Sequence, residues 1–198
     1  MSNVKCQICN KGLTLVEVLV AMGIVTVTGV LLVAVIVNST GVFSKQSSKI
    51  QTGVSINDSL MQIRGAIKQA SGIAETLTQG SATYTTGSDQ LILKVISIDS
   101  SNNIIEETFD YFVIFQDQNI LRFKIFPDAQ SSRSSADKIL SVSLDGILFQ
   151  YFNSGIPPSE VTPAEATKIR VSLKLKQKAG SSFEINTATS EANLRNNL

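Results

Sequence analysis

The order of hydrophobic and polar residues divides the chain into an apolar N-terminal segment and a longer part of mixed character. Residues 13–37 are almost continuously apolar, and Glu17 is the only ionisable side chain between Leu13 and Ser44. At about 1.5 Å per residue, a helix over residues 13–37 is about 37 Å long, which exceeds a hydrocarbon core of about 30 Å. The pattern predicts a membrane-spanning helix that contains one carboxylate, and such a charge is costly unless it has a partner or a function.

A helical repeat continues beyond the apolar segment, now with a single apolar face. Apolar residues recur mostly at steps of three or four, as in an amphipathic helix. They are Ile50, Val54, Leu60, Ile63, Ile67, Ala70, Ile73 and Leu77. We assign residues 38–77 to a continuation of the membrane helix. Its regular part is expected to end near Gly72, because glycine weakens helices and favours their ends.

Alternation of apolar and polar residues replaces the helical repeat from Leu91 onward and predicts β-strands. The predicted strands are residues 90–98, 104–115, 120–126, 139–152 (one long strand, or one broken around Asp145 and Gly146), 167–177 and 182–187. Polar loops are predicted at residues 80–89 and 129–137. Regular alternation buries one face of a sheet and leaves the other in water, which is typical of antiparallel sheets. The predicted fold is α+β, with the long N-terminal helix packed on an antiparallel sheet of about five to seven strands in residues 78–198.

The composition removes the most common routes to catalysis. The formal charge is +1 at neutral pH, histidine is absent, and the only cysteines are Cys6 and Cys9. Without histidine the chain lacks the commonest general base and metal ligand, and two thiolates supply only half of a structural zinc site. The sequence also contains no glycine-rich phosphate loop. We therefore predict a protein that is not an enzyme and that holds no metal or cofactor.

The residues around Gly12 resemble those of a known family. The sequence KGLTLVEVLVA at residues 11–21, preceded by a short basic leader, resembles the prepilin signature of type IV pilins and type II secretion pseudopilins. The resemblance implies that a prepilin peptidase cuts between Gly12 and Leu13 and methylates the new N-terminus on Leu13. Residues 1–12 are then a cytoplasmic leader, residues 13–37 form the helical core of a filament, and the C-terminal domain is exported.

Glu17 takes the place of the glutamate at the fifth mature position of that family. The resemblance implies that its carboxylate neutralises the terminal amine of a neighbouring subunit, which offsets the burial of both charges and sets the axial register. The alternative is an acid that snorkels to the membrane surface. Two features depart from the common pattern, because Leu13 stands where phenylalanine is most frequent and the apolar helix has no proline. The missing proline is more typical of minor pilins and pseudopilins than of major pilins.

The C-terminal half also resembles the minor branch of this family. It contains LDGILFQYF at residues 144–152, a proline-rich loop, KIRVSL at residues 168–173 and NLRN at residues 193–196. The resemblance implies a minor pilin or pseudopilin with a pilin-like fold, in a filament that serves pilus biogenesis, protein secretion or DNA uptake. The implied partners are the prepilin peptidase, other pilin or pseudopilin subunits and the inner or cytoplasmic membrane.

Two other functions are consistent with a single apolar segment. An uncleaved, single-pass membrane-anchored adhesin or binding module needs no processing after Gly12. An enzyme on a membrane stalk needs an active site, which the sequence does not display. We interpret Cys6 and Cys9 as reduced thiols that are discarded with the leader, with metal or redox contact with the peptidase as the alternative.

Two further patterns in the C-terminal domain are open to a binding role. Asp99, Ser101 and Asn103 have the spacing of a calcium loop, but Ile104 replaces the glycine that its sharp turn requires, so we predict a hairpin turn. A basic stripe follows one strand and consists of Lys168, Arg170, Lys174, Lys176 and Lys178. DNA phosphates favour such a stripe, but no aromatic residue interleaves it along the chain and the total charge is nearly neutral. We interpret it as a solvated face, with DNA binding as the alternative.

Overall fold

The structure is a computed structural model that describes residues 14–179 and 182–195, so that Cys6, Cys9, Gly12 and Leu13 lie outside the described residues. It contains one long helix, ten strands and a short 3₁₀ turn within those ranges. These elements are α1 (Leu15–Gln69), β1 (Gly72–Ile73), β2 (Thr76–Gln79), β3 (Ala82–Thr85), β4 (Gln90–Ile98), β5 (Ile104–Asp117), β6 (Ile120–Phe126), β7 (Ala136–Ser141), β8 (Leu144–Phe152), the 3₁₀ turn (Pro163–Glu165), β9 (Lys168–Ala179) and β10 (Ser182–Asn193).

The chain forms two compact units, residues 1–44 and 45–198, and each is described by itself. The described part of the first unit is the beginning of α1. Its segment Leu15–Thr40 has a mean hydropathy of 2.7, and none of its most apolar stretch is buried. Among the described residues this is the one helix that is long and apolar enough to cross a membrane, as the apolar pattern of residues 13–37 predicts.

The second part of α1 packs one face into the core of the second unit. The buried residues of this face are Ile56, Leu60, Ile63, Ala66 and Ile67. The predicted amphipathic pattern is confirmed for Leu60, Ile63 and Ile67. Ile50, which the spacing assigns to the same face, is exposed, so the prediction is wrong at this position, and the Val54 side chain lies outside the described part.

The helix ends at Gln69, slightly before the predicted end near Gly72. Immediately afterwards the backbone N–H of Ser71 donates to the carbonyl oxygen of Lys94 at 2.8 Å, and β1 pairs with β4. Sheet hydrogen bonds thus replace helical ones where the apolar spacing still resembles a helix. The assignment of residues 38–77 to a continuous helix is therefore wrong at its C-terminal end.

Three antiparallel sheets stand where the sequence predicts one. The largest has the strand order β1-β4-β5-β6-β7, the second has the order β10-β9-β8, and β2 and β3 form a two-stranded sheet. All strand pairs are antiparallel, so the α+β class is confirmed, whereas a single sheet of five to seven strands is wrong. The physical reason is that β4 and β5 carry apolar residues on both faces, and each face needs its own cover.

Two apolar clusters provide that cover. The main core joins the buried face of α1 to the inner faces of the two larger sheets. Its fully buried strand residues include Leu91, Leu93, Ile114, Leu121, Ile169, Leu173 and Leu175. A smaller cluster lies on the opposite face of the five-stranded sheet, where Ile92 and Val113 contact Ala74 and Leu77. The prediction of a loop over residues 80–89 is wrong in part, because this range includes the strand β3. The short, threonine-rich sequence of β3 has too few apolar residues to predict a strand.

The remaining strand predictions differ in accuracy. The predicted bounds 90–98 and 120–126 are those of β4 and β6. The predicted strand 139–152 is two strands, β7 and β8, which belong to different sheets and are separated by Val142 and Ser143. The register of β8 also shifts between Leu144 and Gly146, so the expected irregularity at Asp145 is a bulge inside that strand. The last strand reaches Asn193 instead of residue 187, because it pairs with β9 along its whole length.

We expect that replacing Ile63 by alanine destabilises the second unit by about 2–5 kcal/mol, because this fully buried side chain joins α1 to both large sheets. Met61, two residues earlier on the same helix, is exposed, and Met61→Ala should change the free energy of unfolding by less than about 0.5 kcal/mol. Urea unfolding of the full chain in mild detergent, followed by tyrosine fluorescence, measures both, since the chain has no tryptophan. Equal effects of the two substitutions would contradict the assigned helix face.

Candidate functional site at the start of the apolar helix

The first turn of α1 is closed by reciprocal hydrogen bonds between Thr14 and Glu17. The backbone N–H of Thr14 donates to Glu17 Oε2 at 2.9 Å, and the Thr14 hydroxyl donates to the same oxygen at 3.0 Å. In return, the backbone N–H of Glu17 donates to Thr14 Oγ1 at 3.3 Å. The backbone N–H of Val18 donates to the carbonyl oxygen of Thr14 at 3.2 Å and starts the helical ladder.

This geometry is a capping box, in which threonine and glutamate three residues apart satisfy N–H groups that the helix cannot satisfy itself. The effect matters most in an apolar environment, because no water is available there to replace the missing partners. A carboxylate in the first turn also interacts favourably with the positive end of the helix dipole. Glu17 therefore has a role within its own chain.

This intramolecular role of Glu17 is absent from the expectations drawn from the sequence, in which the carboxylate contacts a neighbouring subunit or snorkels to the membrane surface. The signal was present, since a threonine followed three residues later by a glutamate before an apolar run is the pattern of a capping box. Within the described residues, all hydrogen bonds to the Glu17 side chain use Oε2. No described residue donates to Oε1. Gly12 and Leu13, the other predicted site residues, lie outside the described residues.

Hydroxyl groups farther along the apolar segment are also satisfied within the helix. The hydroxyl of Thr26 donates to the carbonyl oxygen of Met22 at 2.8 Å, and that of Thr28 donates to the carbonyl oxygen of Ile24 at 2.8 Å. These bonds remove the cost of a polar side chain in an apolar surrounding. Glu17 is the only ionisable side chain of this segment, so it is the polar group there that most needs a partner.

Asp110 on β5 is the one fully buried carboxylate among the described residues of the second unit, and it holds a loop against the five-stranded sheet. Its Oδ1 accepts hydrogen bonds from the Ser97 hydroxyl and from the backbone N–H of Asp128, both at 2.9 Å. Its Oδ2 accepts from the Ser131 hydroxyl at 2.9 Å and forms a salt bridge with Arg133 Nη1. The carboxylate thus connects two strands to residues 128–133.

The partners of Asp110 determine its protonation. Burial raises the pKa of this carboxyl, but the Asp128 N–H, the Arg133 guanidinium and the Ser131 and Ser97 hydroxyls together lower it below its ordinary value. Asp110 is therefore ionised at neutral pH and fully hydrogen-bonded. The carboxylate and its partners therefore form a buried polar cluster that ties residues 128–133 to the sheet.

The spacing that resembles a calcium loop forms the turn between β4 and β5. Asp99 Oδ1 accepts the backbone N–H groups of Ser101 and Asn103, both at 2.8 Å, and the Asn103 side-chain amide donates to Asp99 Oδ2 at 3.1 Å. The bonds from Asn103 are the main reason that the pKa of Asp99 is lowered. The predicted hairpin turn is thus present, and its carboxylate is used to shape it. Within residues 14–179 and 182–195, no group of three or more acidic side chains is placed to hold a metal ion.

The basic stripe lies on β9, and neighbouring strands modify it. Glu191 on β10 forms salt bridges with Arg170 at 2.6 Å and with Lys168 at 3.6 Å. Arg170 also stacks over the ring of Phe152, and Lys176 lies over the ring of Phe183, each at 4.7 Å from the ring centroid. Aromatic residues thus contact the stripe, but they belong to β8 and β10 and so do not occur in the β9 sequence. The Lys178 side chain lies outside the described part.

Comparison with known proteins adds no family to this geometry. No family model matches the chain, and no curated protein matches it with significant similarity.

Proposed function

We propose that this protein is a minor pilin or pseudopilin, a non-enzymatic structural subunit of a type IV pilus-like filament. A prepilin peptidase cleaves it after Gly12 and methylates Leu13, and the mature chain joins other pilin or pseudopilin subunits. The observation that carries the proposal is the position of Glu17, the one ionisable side chain of an apolar helix, in the first turn after a glycine. The capping box requires only a hydrogen-bond acceptor at this position, which glutamine also supplies, so the negative charge itself points to a positively charged partner.

Cleavage and the capping box act on the same few residues. Hydrolysis of the Gly12–Leu13 peptide bond leaves the carboxylate on Gly12 and a new amine on Leu13, which remains charged after simple methylation. The capping box uses Oε2 of Glu17 and keeps the side chain in the first turn, so Oε1 can accept a hydrogen bond from the amine of an adjacent subunit. Each intersubunit contact then neutralises two charges that are costly to bury separately.

The remainder of the chain fits a filament subunit. The apolar segment Leu15–Thr40 can remain in the inner or cytoplasmic membrane before assembly and pack against equivalent helices afterwards. Head-to-tail contacts that do not close into a ring produce helical filaments. The α+β unit, exported while the N-terminus stays in the cytoplasm, then covers the outside of the filament.

Intact-mass measurement of the protein extracted from membranes tests this proposal. We expect a mass reduced by that of residues 1–12 and increased by about 14 Da for one methyl group on Leu13. A Gly12→Val variant serves as the control and should keep its full mass, because a β-branched residue at the junction obstructs the peptidase. A wild-type chain that retains residues 1–12 would refute the filament subunit and favour the uncleaved membrane-anchored adhesin or binding module.

A further inference from the structure

The three-stranded sheet ends in a strand that is open on one side. Strand β10 pairs with β9 from Ser182↔Ala179 to Asn193↔Lys168 without any register shift. It is the outermost strand of the order β10-β9-β8. No described residue outside β9 hydrogen-bonds to the backbone of β10. Twelve consecutive residues thus form an edge with an uninterrupted register.

The register determines which backbone groups remain open. The backbone N–H of Leu194 donates to the carbonyl oxygen of Thr167 at 2.9 Å, in the same register as the β9–β10 pairs. Hydrogen-bonded pairs alternate along an antiparallel ladder, so the even-numbered residues of β10 bond to β9 and the odd-numbered ones point away. The residues with outward N–H and C=O groups are Phe183, Ile185, Thr187, Thr189, Glu191 and Asn193.

The other sheet edges in the described residues are short or form at least one hydrogen bond with another part of the chain. Strand β1 has two residues, and β2 and β3 have four each. The edges of β4, β7 and β8 accept or donate hydrogen bonds outside their sheets. These bonds are Arg133 Nη1 to Ile96 O (2.7 Å), Ser132 N to Ile98 O (2.7 Å), Ser59 Oγ to Leu140 O (2.9 Å) and Phe149 N to Ser88 O (2.7 Å). β10 therefore differs from every other described edge.

The sequence of β10 also lacks the features that usually prevent edge pairing. It contains no proline, no lysine and no bulge. Glu191 is engaged by Lys168 and Arg170 of its own sheet. At the other end of the strand Phe183 and Ile185 are 62% and 56% exposed, although both are large and apolar.

We propose that β10 pairs with β10 of a second copy of this chain, and that the two three-stranded sheets join into one continuous antiparallel sheet. A second copy offers one long open edge among its described residues, and that edge is β10 itself. Strand pairing between copies must therefore use the same surface on both, which makes the contact two-fold symmetric and closes it at a dimer. This contact is separate from the filament contacts of the apolar helix and does not depend on cleavage after Gly12.

The open backbone groups also restrict the register of the pair. Only odd-numbered residues present N–H and C=O groups outward, so odd-numbered residues of one copy bond odd-numbered residues of the other. Glu184 of one copy is thus never directly opposite Glu191 of the other, and repulsion between these two carboxylates is avoided. If the two-fold axis passes through Thr187 or Ala188, almost every residue of β10 in one copy pairs with a residue of β10 in the other.

Sedimentation velocity of the full chain in detergent micelles, over a dilution series with reductant, tests the dimer. Thr187→Pro removes an outward N–H but no bond to β9, and it blocks the edge. Thr187→Lys places a charge at the same point and keeps the backbone intact. We expect each substitution to raise the dimer dissociation constant about tenfold or more, with an unchanged thermal unfolding midpoint for the lysine variant.

Thr78→Lys is the matched control, because Thr78 is an exposed threonine of the short strand β2. It should dimerise like the wild type. A wild type that stays monomeric over the whole series overturns the proposal. A dimer that is insensitive to both Thr187 variants overturns it too, because that dimer is held by another surface. If Thr187→Pro fails to fold, Thr187→Lys alone decides between these outcomes.

Discussion

Replacing Glu17 by glutamine is expected to exclude the subunit from filaments while its leader is still removed. Glutamine can occupy the third position of a capping box, so the first turn of α1 keeps its hydrogen bonds to Thr14. What disappears is the negative charge that, in the proposed function, pairs with the amine of the adjacent subunit. A buried amine without its counter-ion costs about 3–5 kcal/mol, which corresponds to a loss of assembly of about a hundredfold to several thousandfold.

The measurement compares sheared filaments with the membrane pool of the source cells by immunoblot, and intact mass confirms that residues 1–12 are absent. Thr14→Ala is the matched variant, because it removes the capping hydroxyl and leaves the charge of Glu17 in place. Loss of a helix cap costs about 1 kcal/mol, so its assembly defect should stay below about tenfold. If Glu17→Gln assembles normally, the charge has no role in assembly. If Thr14→Ala fails as completely as Glu17→Gln, the capping box and not the charge is the requirement.

Replacing Arg133 by methionine is expected to cause the largest loss of stability among single substitutions on the surface-exposed loop 128–133. Asp110 is completely buried, and Arg133 is its only cationic partner among the described residues. Methionine has a similar length, but it leaves a buried carboxylate without a counter-ion. Such a change costs about 3–5 kcal/mol, which urea unfolding of the full chain in detergent can measure.

Arg122→Met is the control for this loss. Arg122 forms salt bridges with Asp117 at 2.9 Å and Asp137 at 3.1 Å, but its partners are nearly half exposed. Exposed ion pairs contribute about 1 kcal/mol or less, so this substitution should have a small effect. Similar losses for Arg122→Met and Arg133→Met would show that burial of Asp110 does not determine the outcome.

The pH dependence of stability provides an independent check on Asp110. Its partners lower its pKa in the folded state, so its contribution is complete above the unfolded pKa of about 3.9 and is lost as pH falls through the lower folded value. The wild type should therefore lose this contribution only below about pH 4. In Arg133→Met, desolvation without the guanidinium raises the folded-state pKa of Asp110, so ionisation of this carboxyl stabilises the fold less at neutral pH and acidification should remove less stability from the variant than from the wild type. Parallel pH profiles of the two proteins would contradict the assigned ion pair.

Most of the helix and strand positions could be predicted from the sequence because they depend on local periodicity. The apolar segment, the buried positions Leu60, Ile63 and Ile67, and the bounds of β4 and β6 all follow from spacings of two to four residues. The end of α1 and the strand β3 could not be predicted in this way. The helix ends where the following residues hydrogen-bond to β4. Strand β3 lies beside a small apolar cluster that includes Ile92 of β4. Neither contact is visible in the local sequence.

The sequence by itself determined the apolar helix, the place of its single carboxylate and the antiparallel character of the C-terminal unit, because neighbouring residues carry those signals. The tertiary structure alone decided how the ten described strands divide into three sheets and which groups surround Asp110. It also decided that β10 is the outermost strand of its sheet and has an open edge. Contacts such as that of Arg133 with Asp110 join residues far apart along the chain. No local pattern encodes such contacts, because they depend on which strands become neighbours after folding.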